Sequence, residues 1–240
     1  MDLIFTSVPT WISVTFALIF STAPIFLITN AIRAAERAGN LDASSLRKRV
    51  IVFYWAYFLI VSLVSFTGYF VVNEIPPRII VTTALPLFLF YLIYLPRTKW
   101  FQQVFFHVPL ENLVRIHLFR FVGVFFFIAY NYDVLPKNFA YIGGAGDILA
   151  ATLVFPVLWA LKNKASYAKT WVIIWNIIGL LDILSVLTTA VIITSKAVED
   201  GSSGVAEFGV FPFSWIPAFA PATIIYLHIL VFRKIKQDHC

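Results

Sequence analysis

Seven apolar stretches alternate with short polar breaks along the chain, at about 8–32, 50–72, 79–96, 110–131, 138–161, 170–195 and 209–232. Each is long enough for a helix, rising about 1.5 Å per residue, to cross the hydrocarbon of a bilayer. A helix also keeps its own backbone polar groups paired where no water can reach them. The pattern therefore predicts an all-α membrane protein of seven transmembrane helices, forming a single polytopic domain over 1–240. The third stretch is the shortest and carries prolines at its start, middle and end (Pro77, Pro86, Pro96), which blurs its limits.

The breaks set the orientation. Arg33, Arg37, Arg47, Lys48 and Arg49 follow the first stretch, Arg97 and Lys99 the third, and Lys162, Lys164 and Lys169 the fifth; Arg233, Lys234 and Lys236 close the chain. The opposite side holds Arg78, Lys137 and Lys196. Basic loops stay cytoplasmic, so the amino terminus is predicted outside and the carboxyl terminus in the cytoplasm. No Lys or Arg precedes the first stretch, whereas a cleaved signal has a basic front; that stretch is read as a retained helix. The polar run 196–209, rich in glycine and serine, reads as a flexible loop over the outer mouth.

Composition agrees. Of 240 residues, 60% are apolar and only 12% charged, with a mean hydropathy of +0.87, against about 25% charged in soluble domains. The single cysteine, Cys240, excludes a disulfide framework and a cysteine-based metal site. The net charge of +6 sits in the loops, with no basic and aromatic face of the kind that binds nucleic acid. The expected surroundings are the lipid bilayer and an unidentified small molecule.

Sliding the first three stretches over the last three aligns Trp55 with Trp175, Pro77 with Pro212, Pro86 with Pro221, Tyr91 with Tyr226 and Lys99 with Lys234. This suggests a parallel repeat, 8–99 and 138–236, joined by the linker helix 110–131. The three-one-three plan resembles the SWEET sugar transporters and the seven-helix opsins, and implies a site at the repeat interface. The sequence departs from both. Its second and sixth stretches lack the prolines of SWEET-type repeats, and Lys234 and Lys236 lie at the end of the last stretch, where retinal attachment would need a lysine within it. Ile116-His117-Leu118-Phe119-Arg120, Gly144-Ala145-Gly146-Asp147, Trp175-Asn176 through Asp182, and Ile216-Pro217 to Leu227-His228 resemble a group of bacterial membrane proteins without assigned activity. That resemblance implies a bacterial inner-membrane address and no particular chemistry.

Charged side chains inside a span cost roughly 2.5–3.5 kcal/mol each on insertion scales, so Arg120, Asp147 and Asp182, all placed near mid-span, need a reason. One reading is an ion pair that locks three helices. The other is a midplane polar site formed by Arg120, Asp147, Asp182, His117, Asn176, Tyr91 and Tyr226. There a small molecule is bound and translocated, and a carboxylate without its own cation carries a proton. His117 and His228 at similar depth raise an alternative, an intramembrane enzyme with haem b or zinc between them. A third reading is an accessory or sensory subunit whose ion cluster is structural. Gly143, Gly144 and Gly146 make no phosphate loop and read as close helix contacts. Trp11, Trp100, Trp171 and Trp215 read as interfacial anchors. Tyr226 and His228 point almost oppositely around the last helix, so both are not expected to face inward fully.

Overall fold

The structure, a computed structural model, describes residues 6–237; Cys240 lies outside them. Seven helices are long and apolar enough to cross a membrane: α1 (Thr10–Gly39), α2 (Ser44–Phe66), α3 (Ile80–Arg97), α5 (Leu110–Asn131), α6 (Lys137–Lys162), α7 (Ala168–Asp200) and α8 (Trp215–Gln237). One further helix, α4 (Lys99–His107), lies between the third and fourth spans. The described residues contain no strand.

The helices outrun the apolar stretches at several ends, because hydropathy marks the part of a helix in hydrocarbon and not the whole helix. α1 continues past Arg33 and Arg37 to Gly39, where Asn40 takes a left-handed conformation (φ 48°) and returns its N–H to the Glu36 carbonyl. The supposed loop 33–49 thus shrinks to a tight corner. Glu36 accepts the Ala43 N–H at 2.8 Å and pairs with Arg47 across it. Asp42 accepts the Ser44 N–H at 2.9 Å at the start of α2, which holds its carboxyl below the usual carboxylate range. α7 likewise runs on to Asp200 before Gly201 ends it.

The run 196–209 is therefore anchored rather than free. Its first residues are helix, Asn73 donates to the Ser202 carbonyl at 3.0 Å, and Ser65 donates to the Gly209 carbonyl at 2.7 Å. On the same side Arg78 grips Glu74 through two bonds of 2.7 and 2.9 Å.

α8 is the axis of the bundle. In its most apolar stretch 78% of residues are buried, against 22% for α7. The outer helices leave Leu59, Ile60, Leu181 and Ile192 exposed, as lipid-facing surfaces do. This overturns the expectation for Trp215, which is buried in the core with its Nε1 donating to Ser62 Oγ at 2.9 Å. Trp11 and Trp171 are exposed near helix starts, as anchors should be. Burial around all of α8 also overturns the expectation for its two polar residues, since Tyr226 and His228 are both interior, on different sides.

Two spans depart from α-helical winding. α3 widens by a residue per turn over Ile80–Ala84 and Phe90–Tyr94, on either side of Pro86, whose ring removes one N–H and displaces the preceding turn. α5 tightens to three residues per turn over His117–Gly123. At that pitch side chains three apart eclipse, which brings His117 and Arg120 onto one line.

Candidate functional site

The site residues expected from the sequence divide into two groups, on either side of α8.

The first group is an ion cluster where α5, α6, α7 and α8 meet. Arg120 is fully buried near the middle of its span. Its Nε donates to Asp147 Oδ1 at 2.7 Å, its Nη2 to Asp182, and its Nη1 to the Gly179 carbonyl at 3.1 Å. Nη1 also faces His228 Nε2 at 3.4 Å. The orientation of His228 follows from Asn176. Asn176 Nδ2 donates to the His228 carbonyl at 3.1 Å, so its Oδ1 is an acceptor and takes the proton on His228 Nδ1 at 2.7 Å. That leaves Nε2 with a lone pair, directed at the guanidinium. Every nitrogen of Arg120 thus faces a group of the protein.

Close helix approach makes this geometry possible. A Cβ on Gly146 would collide with the Asp182 carboxylate, and one on Gly179 would lie 2.6 Å from the His228 ring and 3.1 Å from Arg120 Nη1. Only glycine fits at either position. The expected packing role of the neighbouring glycines holds as well, with Gly143 against Phe126 and Gly144 against Phe127.

His117 stands beside this network without joining it. It is fully buried, its ring centroid lies 4.2 Å from that of His228, and the Trp175 indole meets it edge-on at 4.9 Å. Neither of its ring nitrogens has a hydrogen-bond partner among the described residues. An iron held between two imidazoles needs two metal–nitrogen bonds of about 2 Å end to end. Rings tilted by 38° with centroids 4.2 Å apart, one of them already facing partners through both nitrogens, do not offer that arrangement. The described residues also contain no group of three His, Cys, Asp or Glu side chains placed to hold a metal ion.

The second group lies across α8, in a cavity of about 330 Å³ between α1, α2, α3 and α8. Tyr91 and Tyr226 both line it, stacked with centroids 5.1 Å apart. Its deep end carries a string of hydroxyls, Tyr54 to Tyr91 at 2.9 Å and Tyr91 to Thr223 at 3.2 Å. Its other end, on the side of the basic loops, is roofed by Trp100, Phe101, Val104 and Phe105 of α4, with exposed Arg49 in the wall. Trp55 and Trp175, aligned with each other in the sequence, do not line this cavity: Trp55 is 46% exposed and Trp175 is 2% exposed, packed against His117.

Sequence reasoning found Tyr91 and Tyr226 but missed Tyr54, Thr223 and the whole of α4. A signal for α4 existed. In Lys-Trp-Phe-Gln-Gln-Val-Phe-Phe-His the apolar residues Trp100, Phe101, Val104 and Phe105 recur at one-three-one spacing, which is an amphipathic stripe. Hydropathy alone gives such a short break between two spans as a loop.

Neither a curated protein nor a solved structure matches the chain. A family model described as a domain of unknown function, DUF8737, matches residues 75–236, which takes in α3 to α8 and so all of the ion cluster, but not the α1 and α2 walls of the cavity. With about two thirds of its length matched, the chain belongs to the DUF8737 family.

Proposed function

We propose that the protein binds a small, mainly apolar molecule inside the membrane, in the cavity between α1, α2, α3 and α8. The observation that carries this reading is the cavity itself. About 330 Å³ of space with aromatic walls and a few convergent hydroxyls has the size and make-up of a small-molecule site. The ion cluster then serves as the fixed wall behind it, because each nitrogen of Arg120 is held by a group of the protein. The test is a thermal-shift screen of apolar small molecules against the native protein and Leu227→Trp, which fills the cavity. A ligand at about 100 times its Kd adds roughly 2.7 kcal/mol of stability, and this gain should vanish in Leu227→Trp. If every stabilising molecule acts equally on both proteins, the cavity is not the site.

The charge count of the cluster favours a second reading, in which it carries a proton. Two carboxylates face one guanidinium, and a single proton on the pair would bring the net charge to zero in a medium that penalises charge. Infrared spectroscopy tests this. A protonated-carboxyl band present at neutral pH and lost in Asp182→Asn or Asp147→Asn supports proton carriage, and its absence in the native protein overturns it.

A further inference from the structure

The cavity that we read as the binding site has its two polar ends in different states. At the deep end, Tyr54, Tyr91 and Thr223 satisfy one another, so they make little demand on a ligand. At the mouth stands Arg49, exposed in the cavity wall, and Arg233 packs over the ring of Phe105 in the roof with its Cζ 5.4 Å from the centroid. No ion pair among the described residues takes up either guanidinium. Between the two ends the walls are apolar, formed by Ile28, Ile32, Val50, Leu227 and Leu230 together with the aromatic rings.

The mouth also lies where an amphiphile would enter. The segments that form it are the end of α1, the start of α2, the end of α3 and α4, and they carry Arg33, Arg37, Arg47, Lys48, Arg49, Arg97 and Lys99, seven of the 18 basic residues. α4 turns Trp100, Phe101 and Phe105 into the cavity and leaves Gln102, Gln103 and Phe106 exposed, as a helix lying along a membrane interface does. α4 is tied down at its far end, where Lys234 Nζ donates to the Phe106 carbonyl at 2.8 Å. The roof is therefore built into the fold.

We propose that this cavity takes a single-chain anionic amphiphile, such as a fatty acid, with its chain among the apolar walls and its head group at Arg49. The proposal rests on the reading of the cavity as a small-molecule site. Charge complementarity carries it, since the cavity joins a cationic mouth to an apolar interior whose inner hydroxyls are already paired. A guanidinium at an interface binds carboxylate or phosphate head groups equally well, and the volume suits one chain better than two.

The test is photolabelling in nanodiscs of zwitterionic phosphatidylcholine, with a palmitic acid that carries a diazirine in mid-chain. The expected result is labelling of peptides from α4 and from the Thr223–Leu230 part of α8. Unlabelled palmitate should compete for it and hexadecanol of the same chain length should compete less well. Arg49→Gln should weaken it roughly fivefold, as suits one charge pair at a wet mouth. Leu227→Trp should abolish it, and Val104→Trp, which fills the cavity from the roof, repeats that test should the first variant fold poorly. Labelling spread over Ile174 and Leu181 on the lipid-facing side of α7, with no effect of competitor, would show annular lipid only and overturn the proposal. If palmitate fails while neutral apolar molecules still stabilise the native protein and not Leu227→Trp, the ligand class is wrong and the cavity remains the site. If nothing responds to Leu227→Trp or Val104→Trp, both fail.

Discussion

Tyr226 and His228 lie two residues apart on α8 and look into different parts of the protein. Tyr226 stacks on Tyr91 in the cavity wall, and His228 turns its Nε2 to Arg120 in the ion cluster. A helical wheel separates such residues by about 200°, which in a helix packed on one side would leave one of them in lipid. α8 is surrounded, so both are interior. One helix thus forms the partition between a buried ion cluster and a largely apolar cavity.

The cluster gives the first prediction. Removing one partner of a buried ion pair leaves a bare charge and costs about 3–5 kcal/mol. Arg120→Met leaves two carboxylates facing each other in mid-span, and the protein should lose most of its folded, monodisperse fraction in detergent. Asp147→Asn keeps an acceptor oxygen for Arg120 Nε and should cost about 1–3 kcal/mol. The triple variant Arg120→Met, Asp147→Leu, Asp182→Leu removes all three charges together and should recover much of the loss, because apolar replacements of a buried ionic triad are often tolerated. Thermal unfolding of the three variants gives the order. A triple variant no better than Arg120→Met would mean that the cluster itself specifies the packing of α5, α6 and α7.

Gly146→Ala and Gly179→Ala test the close approach that the cluster requires. In each the new methyl meets the cluster directly, Asp182 in one case and His228 in the other. Overpacking of this kind costs roughly 1–3 kcal/mol. Both variants should melt lower than the native protein, and a melting temperature unchanged in either would show that its neighbours can move aside.

These residues show how much of the molecule is legible in the sequence. Span number, the charged residues at mid-span and the inward role of the glycines follow from composition and depth, because the bilayer imposes one length and one penalty on every segment. What could not be read was which sides of the helices meet. The repeat alignment put Tyr91 and Tyr226 into one site with Arg120, and only packing around α8 separates them. The ends of α1 and α7 were missed for another reason. Arg37 and Glu199 are polar and yet helical, and hydropathy is silent once a helix leaves the hydrocarbon. α4 escaped notice because nine residues are too few to stand out between two spans, although its aromatic stripe was on view.

Two tyrosines should respond oppositely to loss of their hydroxyls. The Tyr226 hydroxyl is buried without a hydrogen-bond partner among the described residues, a state that costs about 1–3 kcal/mol. Tyr226→Phe should therefore be neutral or stabilising. Tyr91→Phe cuts the string from Tyr54 to Thr223 and should destabilise by about 1 kcal/mol. Thermal unfolding of both variants in the same detergent reads the difference, and equal losses would count against the hydroxyl arrangement described here.

The corner between α1 and α2 should weaken in acid. The Ser44 N–H lowers the Asp42 carboxyl from its ordinary value of 3.8. A group depressed in the folded state contributes stability above its unfolded value and loses it as pH falls through the folded one. The melting temperature should thus differ between the native protein and Asp42→Ala near pH 6, and the gap should narrow as pH falls below the ordinary carboxylate value of 3.8. A gap of constant size across that range would place the contribution of Asp42 in its shape and not in its charge.

Orientation supplies the last prediction, and the fold fixes where to look. Gln103 is exposed on α4, beside the basic loops, and Ser202 is exposed just beyond α7. Three spans, α5, α6 and α7, separate them, so the two positions must lie on opposite sides of the membrane. The excess of Lys and Arg on the Gln103 side predicts that this side faces the cytoplasm. In a Cys240→Ser background, Ser202→Cys should react with a membrane-impermeant maleimide in intact cells, and Gln103→Cys only after the cells are permeabilised. The reverse pattern would put the mouth of the cavity, with Arg49, outside the cell. Reaction of both in intact cells would mean that one of the three helices between them does not cross.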